Sequence, residues 1–157
     1  MAHPSPQDLL SELLESQRLA ALATHSATAP YCNLVAFTAT DSLRSILFVT
    51  PRGTTKYRNL CAYPAVSLLI DNRSQIDTPA AGMAVTAIGS VQEIEEPKAA
   101  NLRAQHARRH RDLNAFITSA DCALMRIAVE HYIIVTSCRD VVTISVSNQT
   151  DDLHPSL

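Results

Sequence analysis

This sequence predicts a mainly β fold with inserted helices, an antiparallel barrel, on three observations. Seven short runs carry the β-branched, aromatic and alternating composition of strands. Most connections between them are too short for the crossover that a parallel sheet needs. With 157 residues, 46% of them apolar and 18% charged, the chain suits one globular domain with a real core and little room for a second.

Taken in order, Ser5-Pro6-Gln7-Asp8 reads as a capping box with proline at the first helical position. Leu9, Leu10, Leu13 and Leu14 then form one apolar stripe of a helix ending near Gln17. Strands are expected at 18–25, 31–40 and 45–50, separated by turns at 26–30 and at Asp41-Ser42. A helix from Thr54 to about Ala62 stops at Tyr63-Pro64. Strand 65–71, the polar loop 72–82 and the long strand 83–94 follow, with Gly89 placed for a bulge. Glu95-Glu96-Pro97 opens a helical region reaching about Ser119 and broken near His110. The last strands are expected at 122–137 and 140–147, before a polar tail at 147–157.

Composition excludes several functions. A net charge of -2 and a pI near 6.3 leave no broad basic field, so nucleic acid is not an expected partner. No stretch has the length of a membrane span, and "MAHPSPQDLL" lacks a basic region followed by an apolar one, so a cytoplasmic protein is expected. Cys32, Cys61, Cys122 and Cys138 are scattered with no C-x-x-C; they read as reduced, partly buried small hydrophobes, and no metal site is expected. The three glycines, Gly53, Gly82 and Gly89, lie too far apart for G-x-G-x-x-G or a P-loop. Any phosphate site must therefore be built differently.

The stretch "LFVTPRGTTKYRNL" (47–60) offers such a site. An apolar strand runs into Pro51-Arg52-Gly53, and Thr54-Thr55-Lys56 opens a helix. The free N–H groups of a helix's first turn attract anions, two hydroxyls add donors, and a lysine adds a point charge. Gly53 would let the chain turn sharply there. The same residues also read as an ordinary threonine cap followed by a solvated lysine.

The longer run "LFVTPRGTTKYRNLCAYPAVSLLIDN" (47–72) resembles the signature of the pyridoxamine 5′-phosphate oxidase-like family, the FMN-binding split barrels. Phe48-Val49-Thr50 matches the family's F-[YV]-T strand. Thr54-Thr55-Lys56 matches its [ST]-x-K phosphate motif, and Tyr63 to Leu69 its N-P-x-[VA]-S-L-x element. The likeness extends more loosely over about residues 8 to 146, including "VTAIGSVQEI" and the run from Arg108 to Val135. It implies a six-stranded antiparallel split barrel that binds FMN at a homodimer interface. By that resemblance Thr54, Thr55 and Lys56 hold the FMN phosphate, and Val49 and Thr50 line the flavin mostly through backbone. Asn33, where the oxidases have an arginine and small FMN-binding relatives an asparagine, hydrogen-bonds the ring edge or the ribityl chain.

The departures from the family are as informative. Thr38 stands where the oxidases carry a substrate-binding lysine, and Ala84 where they carry an FMN-contacting glutamine. The chain has no tryptophan, and its tail holds no R-x-H. Cofactor binding survives these changes better than vitamin B6 chemistry does. Elsewhere, "RRHR" (108–111) with Arg103 reads either as an anion attractant or as the solvated, dipole-complementing end of a helix. His110 is a candidate proton donor or haem ligand, and the rings of His131 and Tyr132 are candidates to reach the flavin. No carboxylate pair or Ser/His/Asp order marks a catalytic residue, so the flavin would carry the chemistry.

The expectation is thus a homodimeric, FMN-dependent oxidoreductase acting on a small molecule, with an electron donor such as NAD(P)H. Backbone N–H groups near Asn33 and Val49 would stabilise charge on the reduced ring. A carrier or sensor module of the same fold, binding flavin or haem without turnover, is the alternative. A dimeric barrel whose cofactor site has decayed is a third reading.

Overall fold

A computed structural model of the chain describes residues 4–137 and 139–146. The polar tail and Cys138 lie outside the described residues. Helix α1 (Pro6–Ser16) begins at the expected capping box: Asp8 N–H donates to the Ser5 hydroxyl at 3.2 Å, and Ser5 N–H donates back to the Asp8 carboxylate at 3.0 Å. Its leucines 10, 13 and 14 are buried.

Strands β1 (Leu19–His25), β2 (Pro30–Ala39) and β3 (Ser45–Pro51) lead to helix α2 (Thr55–Ala62), then β4 (Ala65–Asp71) and β5 (Met83–Glu93). The loop between β4 and β5 contains two short 3-10 turns, Arg73–Gln75 and Pro79–Ala81. Helix α3 (Ala99–Arg109), a 3-10 turn at Arg111–Leu113 and the short α4 (Asn114–Ile117) bring the chain to β6 (Cys122–Thr136) and β7 (Asp140–Ser145). The helical region therefore breaks at His110, as the sequence predicts.

All strand pairs are antiparallel, in the order β3-β2-β1-β4-β5-β6-β7, and a further β3–β6 pairing closes six strands into a barrel. β6 makes this possible because it is 15 residues long. Its first half pairs with β3 from Cys122 to Ala128, and its second half pairs with β7 from His131 to Thr136. The seventh strand thus extends the sheet beyond the closed barrel. Gly89 sits at a register shift between β5 and β6, and a side chain there would run into the Ala128 carbonyl and the Val129 backbone. The expected bulge is present, and close backbone approach is its cause.

Strand alternation builds two cores. Inward residues such as Leu22, Phe37, Ile46, Phe48, Leu68, Val85 and Ile127 fill the barrel together with the leucines of α1. Outward Leu47, Val49 and Leu124 pack under α3 and α4 with Ala99 and Ile117. Both faces of β3 are therefore covered, which explains its continuous apolar run. Tyr132 is fully buried and donates its hydroxyl to the Leu43 carbonyl at 2.6 Å, anchoring a residue held at φ 59° in the β2–β3 turn.

Candidate functional site

The barrel is open at one seam. β2 and β3 pair only at Phe37–Phe48, Thr38–Leu47 and Ala39–Ile46. Beyond Phe37, residues 30–36 stay with β1, while Val49 to Pro51 stay with β6. The two strands splay apart there, and α2, which follows β3, packs against β1, β3 and β5. Buried Asn59 donates to the Thr24 hydroxyl at 3.2 Å, which donates to the Tyr31 carbonyl at 3.3 Å.

Asn33 lies on this seam, on the inward face with Val35 and Phe37. Its Oδ1 is buried and has no hydrogen-bond partner among the described residues. An unmet buried acceptor costs about 1–3 kcal/mol, so this one calls for a donor from outside the chain. Thr50 faces the same opening, 3.4 Å from Thr54 through their hydroxyl oxygens, and is fully buried. Val49 points the other way, into the core beneath α3 and α4, so the seam sees only its backbone.

At the start of α2, Thr54 is the N-cap. Its hydroxyl accepts from Tyr57 N–H at 3.1 Å and donates to the Pro51 carbonyl at 2.9 Å. That spends the hydroxyl on the turn, so the cap reading is correct for Thr54. The N–H groups of Thr55 and Lys56 have no partner among the described residues, and the Thr55 hydroxyl accepts from Arg58 at 3.0 Å, leaving its own hydrogen free. Lys56 is half-buried, burial lowers its pKa, and no carboxylate pairs with it among the described residues. A bound anion would relieve that cost. The chain turns at Gly53 as expected, with Thr54 N–H donating to the Pro51 carbonyl at 3.3 Å, but no left-handed backbone is needed for it; a Cβ there would meet nothing within 4 Å, so the turn stands open to solvent.

Arg58 escaped the sequence reading. Helical spacing was the available signal, because position 58 lies one turn after Thr54 and Thr55 and brings a guanidinium back over the helix start. Two free N–H groups, one free hydroxyl and two cations make a suitable cradle for a phosphate monoester, and the seam's unmet acceptor suits a ring or ribityl donor. The residues present fit FMN.

Other sequence candidates fall outside this site. Arg109 donates to the carbonyls of Leu14, Glu15 and Gln17, closing the C-terminal end of α1, and Arg103 donates to the Ile117 carbonyl at 2.7 Å. His110 is buried, with its Nε2–H on the Phe37 carbonyl at 2.8 Å and Arg18 donating to its Nδ1 at 3.4 Å. The run 108–111 is thus neither a wholly solvated face nor an open haem ligand set; two of its four residues hold α3 to α1 and β2. Thr38, which replaces the oxidases' lysine, is buried against His106 Nδ1 at 2.8 Å. Tyr132 is enclosed in the barrel, whereas His131 is half-exposed on its outer face. Ala84 is half-buried on β5. Of the three cysteines among the described residues, Cys122 is buried while Cys32 and Cys61 are exposed, because alternation on β2 turns Cys32 outward and α2 turns Cys61 to solvent. Among the described residues no His, Cys, Asp and Glu group could hold a metal, and no helix is long and apolar enough to cross a membrane.

A closed six-stranded barrel with a splayed seam, and beside it a helix start whose first N–H groups have no partner among the described residues, defines the class, a split barrel. The family model for pyridoxamine 5′-phosphate oxidase matches residues 7–135, and the chain belongs to that family. No curated protein matches the sequence. Among solved structures, the haem-binding protein of Mycobacterium smegmatis aligns with a TM-score of 0.81 at 20% identity, over 92% of this chain and 60% of that one. This chain is therefore shorter than that relative by a large margin. HutZ, the haem storage protein of Vibrio cholerae, gives 0.69 at 17% identity over 82% of this chain and 92% of its own. A FAD-binding protein of Mesorhizobium loti gives 0.66 at 18% over 83% and 94%. At these identities the likeness establishes the shared fold.

Proposed function

We propose that the chain is a flavin protein that holds FMN at the β2–β3 seam and works as an oxidoreductase on a small molecule. The observation that carries this reading is the buried Oδ1 of Asn33, without a partner among the described residues, in a seam whose rim holds the N–H groups of Thr55 and Lys56, likewise without partners there. Lys56, Arg58 and the Thr55 hydroxyl bind the phosphate. Asn33 accepts a hydrogen bond from the ring or ribityl chain, and the backbone of Val49 and Thr50 lines the seam. FMN, when bound, supplies hydride or electron transfer; the chain supplies position, exclusion of water and charge.

A second copy of the chain completes the site. Leu34, 70% exposed, follows Asn33 on β2, and its register partner Ala21 pairs in turn with Leu69 of β4. Leu19 and Leu69 are also exposed, so an apolar face runs over the outside of β2, β1 and β4 beside Asn33. A patch of this kind marks an interface. We infer a homodimer with the cofactor at that interface.

The visible spectrum of the purified protein tests the reading. Flavin bands, bleached on adding NADH or NADPH, are expected for an oxidoreductase. Flavin bands that neither donor bleaches indicate a carrier, and a Soret band with no flavin uptake indicates haem handling. The latter result would contradict the assignment.

A further inference from the structure

Glu93 ends β5 and is locked into the sheet by pairing with Met125 of β6. Both oxygens of its carboxylate are occupied, by groups on either side of the phosphate turn. Arg52 Nη2 donates to Oε1 at 2.5 Å, and the Tyr57 hydroxyl donates to Oε2 at 2.6 Å. Residues 52 and 57 bracket the segment Gly53 to Lys56, which contains every backbone group assigned to the anion. The same two residues have further anchors. Arg52 donates through Nη1 to the Ala120 carbonyl and through its backbone N–H to Asp121, both at 3.0 Å. Tyr57 donates its own N–H to the capping hydroxyl of Thr54.

Resting on the reading above, we propose that Glu93 is a positioning residue for the flavin phosphate. Its carboxylate, bridging Arg52 and Tyr57, fixes both ends of the Gly53–Lys56 turn so that the free N–H groups are aimed before the anion arrives. Preorganised donors lose less freedom on binding than donors on a loose loop, which raises affinity without any contact to the ligand. Arg52 also neutralises the carboxylate, so the acid beside the cradle does not repel a phosphate. The pair is half-exposed, and its value lies in geometry more than in Coulomb energy.

The test is a fluorescence titration of the full chain with FMN and with riboflavin, which has the ring and ribityl chain but no phosphate. Wild type, Glu93→Gln and Tyr57→Phe are compared. The glutamine has one acceptor oxygen where the carboxylate has two and carries no charge, so it cannot accept from Arg52 and the phenol at once, and the phenylalanine keeps the ring, so one variant suffices if the other fails to fold. Each is expected to weaken FMN about tenfold while leaving riboflavin within about twofold, with faster exchange of the Tyr57 and Arg58 amides, which are hydrogen-bonded to Thr54 in the turn. The double variant should lose little beyond either single one, since both break one unit. If the variants lose FMN and riboflavin equally, or neither, Glu93 is only structural and the proposal falls. If wild type itself shows no preference for FMN over riboflavin, the phosphate assignment falls first and the positioning role with it.

Discussion

At the scale of single residues, Lys56 and Asn33 carry the proposed cofactor site in different ways. Lys56 gives a charge-assisted contact from a half-buried position, so Lys56→Ala should weaken FMN by about one to two decades, from about 1.5–3 kcal/mol. Riboflavin binding should be unchanged, and equal losses for the two ligands would remove Lys56 from the phosphate. Asn33 makes the opposite bargain, because its Oδ1 is buried without a partner. Replacing it with valine, which suits a strand, should raise the melting temperature of the flavin-free protein, by about 1 kcal/mol in stability terms, and weaken flavin binding. A variant that loses stability and keeps its flavin would show that the amide serves the fold. Thr54 shows what the sequence could not separate: a capping threonine and a phosphate-binding threonine look the same until the hydroxyl's partners are seen. Arg58 was overlooked because its role depends on where a long side chain folds back.

At the scale of elements, α3 is held to β2 by two buried imidazoles. Burial is the main reason that His106 titrates low, pushed down to about 3, with the charges of His110, Arg109 and Arg103 adding to it. Burial likewise lowers His110, against the Phe37 carbonyl and Asp112, which favour its charged form. The rings lie 4.7 Å apart, so charging one opposes charging the other. In the unfolded chain both take up protons near the ordinary histidine pKa of about 6.5, while in the folded state His106 stays neutral far below that pH and His110 protonates at a lower pH than it does unfolded. The unfolded state therefore binds more protons below that pH, and stability falls on acidification, by up to about 1.4 kcal/mol per pH unit from His106, with His110 acting in the same direction. Melting temperatures measured from neutral pH down to about pH 4 should show this slope, and His106→Gln should flatten it. A wild-type profile that is flat across that range would contradict the buried, neutral pair. Gly89 makes a second prediction at this scale. Gly89→Ala places a methyl against the Ala128 carbonyl and should cost about 3 kcal/mol or more by denaturant melt. A cost under about 1 kcal/mol would mean that the bulge opens freely. The elements themselves were legible. Period-2 patterning, the Ser5–Asp8 box and the Tyr63-Pro64 stop placed α1, α2 and the strands to within a residue or two, because local chemistry decides them, whereas α3 begins only at Ala99, past the Glu95-Glu96-Pro97 start expected for it. The burial of Arg109 and His110 was not legible, since a basic run looks solvated until α1 arrives from 90 residues away to be capped by it.

At the scale of the whole molecule, local signals could announce strands but not which edges meet. The closure of the barrel through β3 and β6, and the change of partner along β6 from β3 to β7, depend on pairings distant in sequence. The seam follows from that topology, because β2 and β3 leave each other after Phe37 and Phe48 to follow different neighbours. The same topology leaves an apolar outer face, and on the proposed dimer Leu34→Glu should yield monomers by light scattering and release flavin. A variant that stays dimeric would place the interface elsewhere. The most direct test of the central claim, that the Thr55–Lys56 turn grips a flavin phosphate beside the Asn33 seam, is the titration of the wild-type protein with FMN against riboflavin. The account predicts saturable binding of both, with FMN tighter by about tenfold or more. Equal affinities, or no binding of FMN at all, would contradict it.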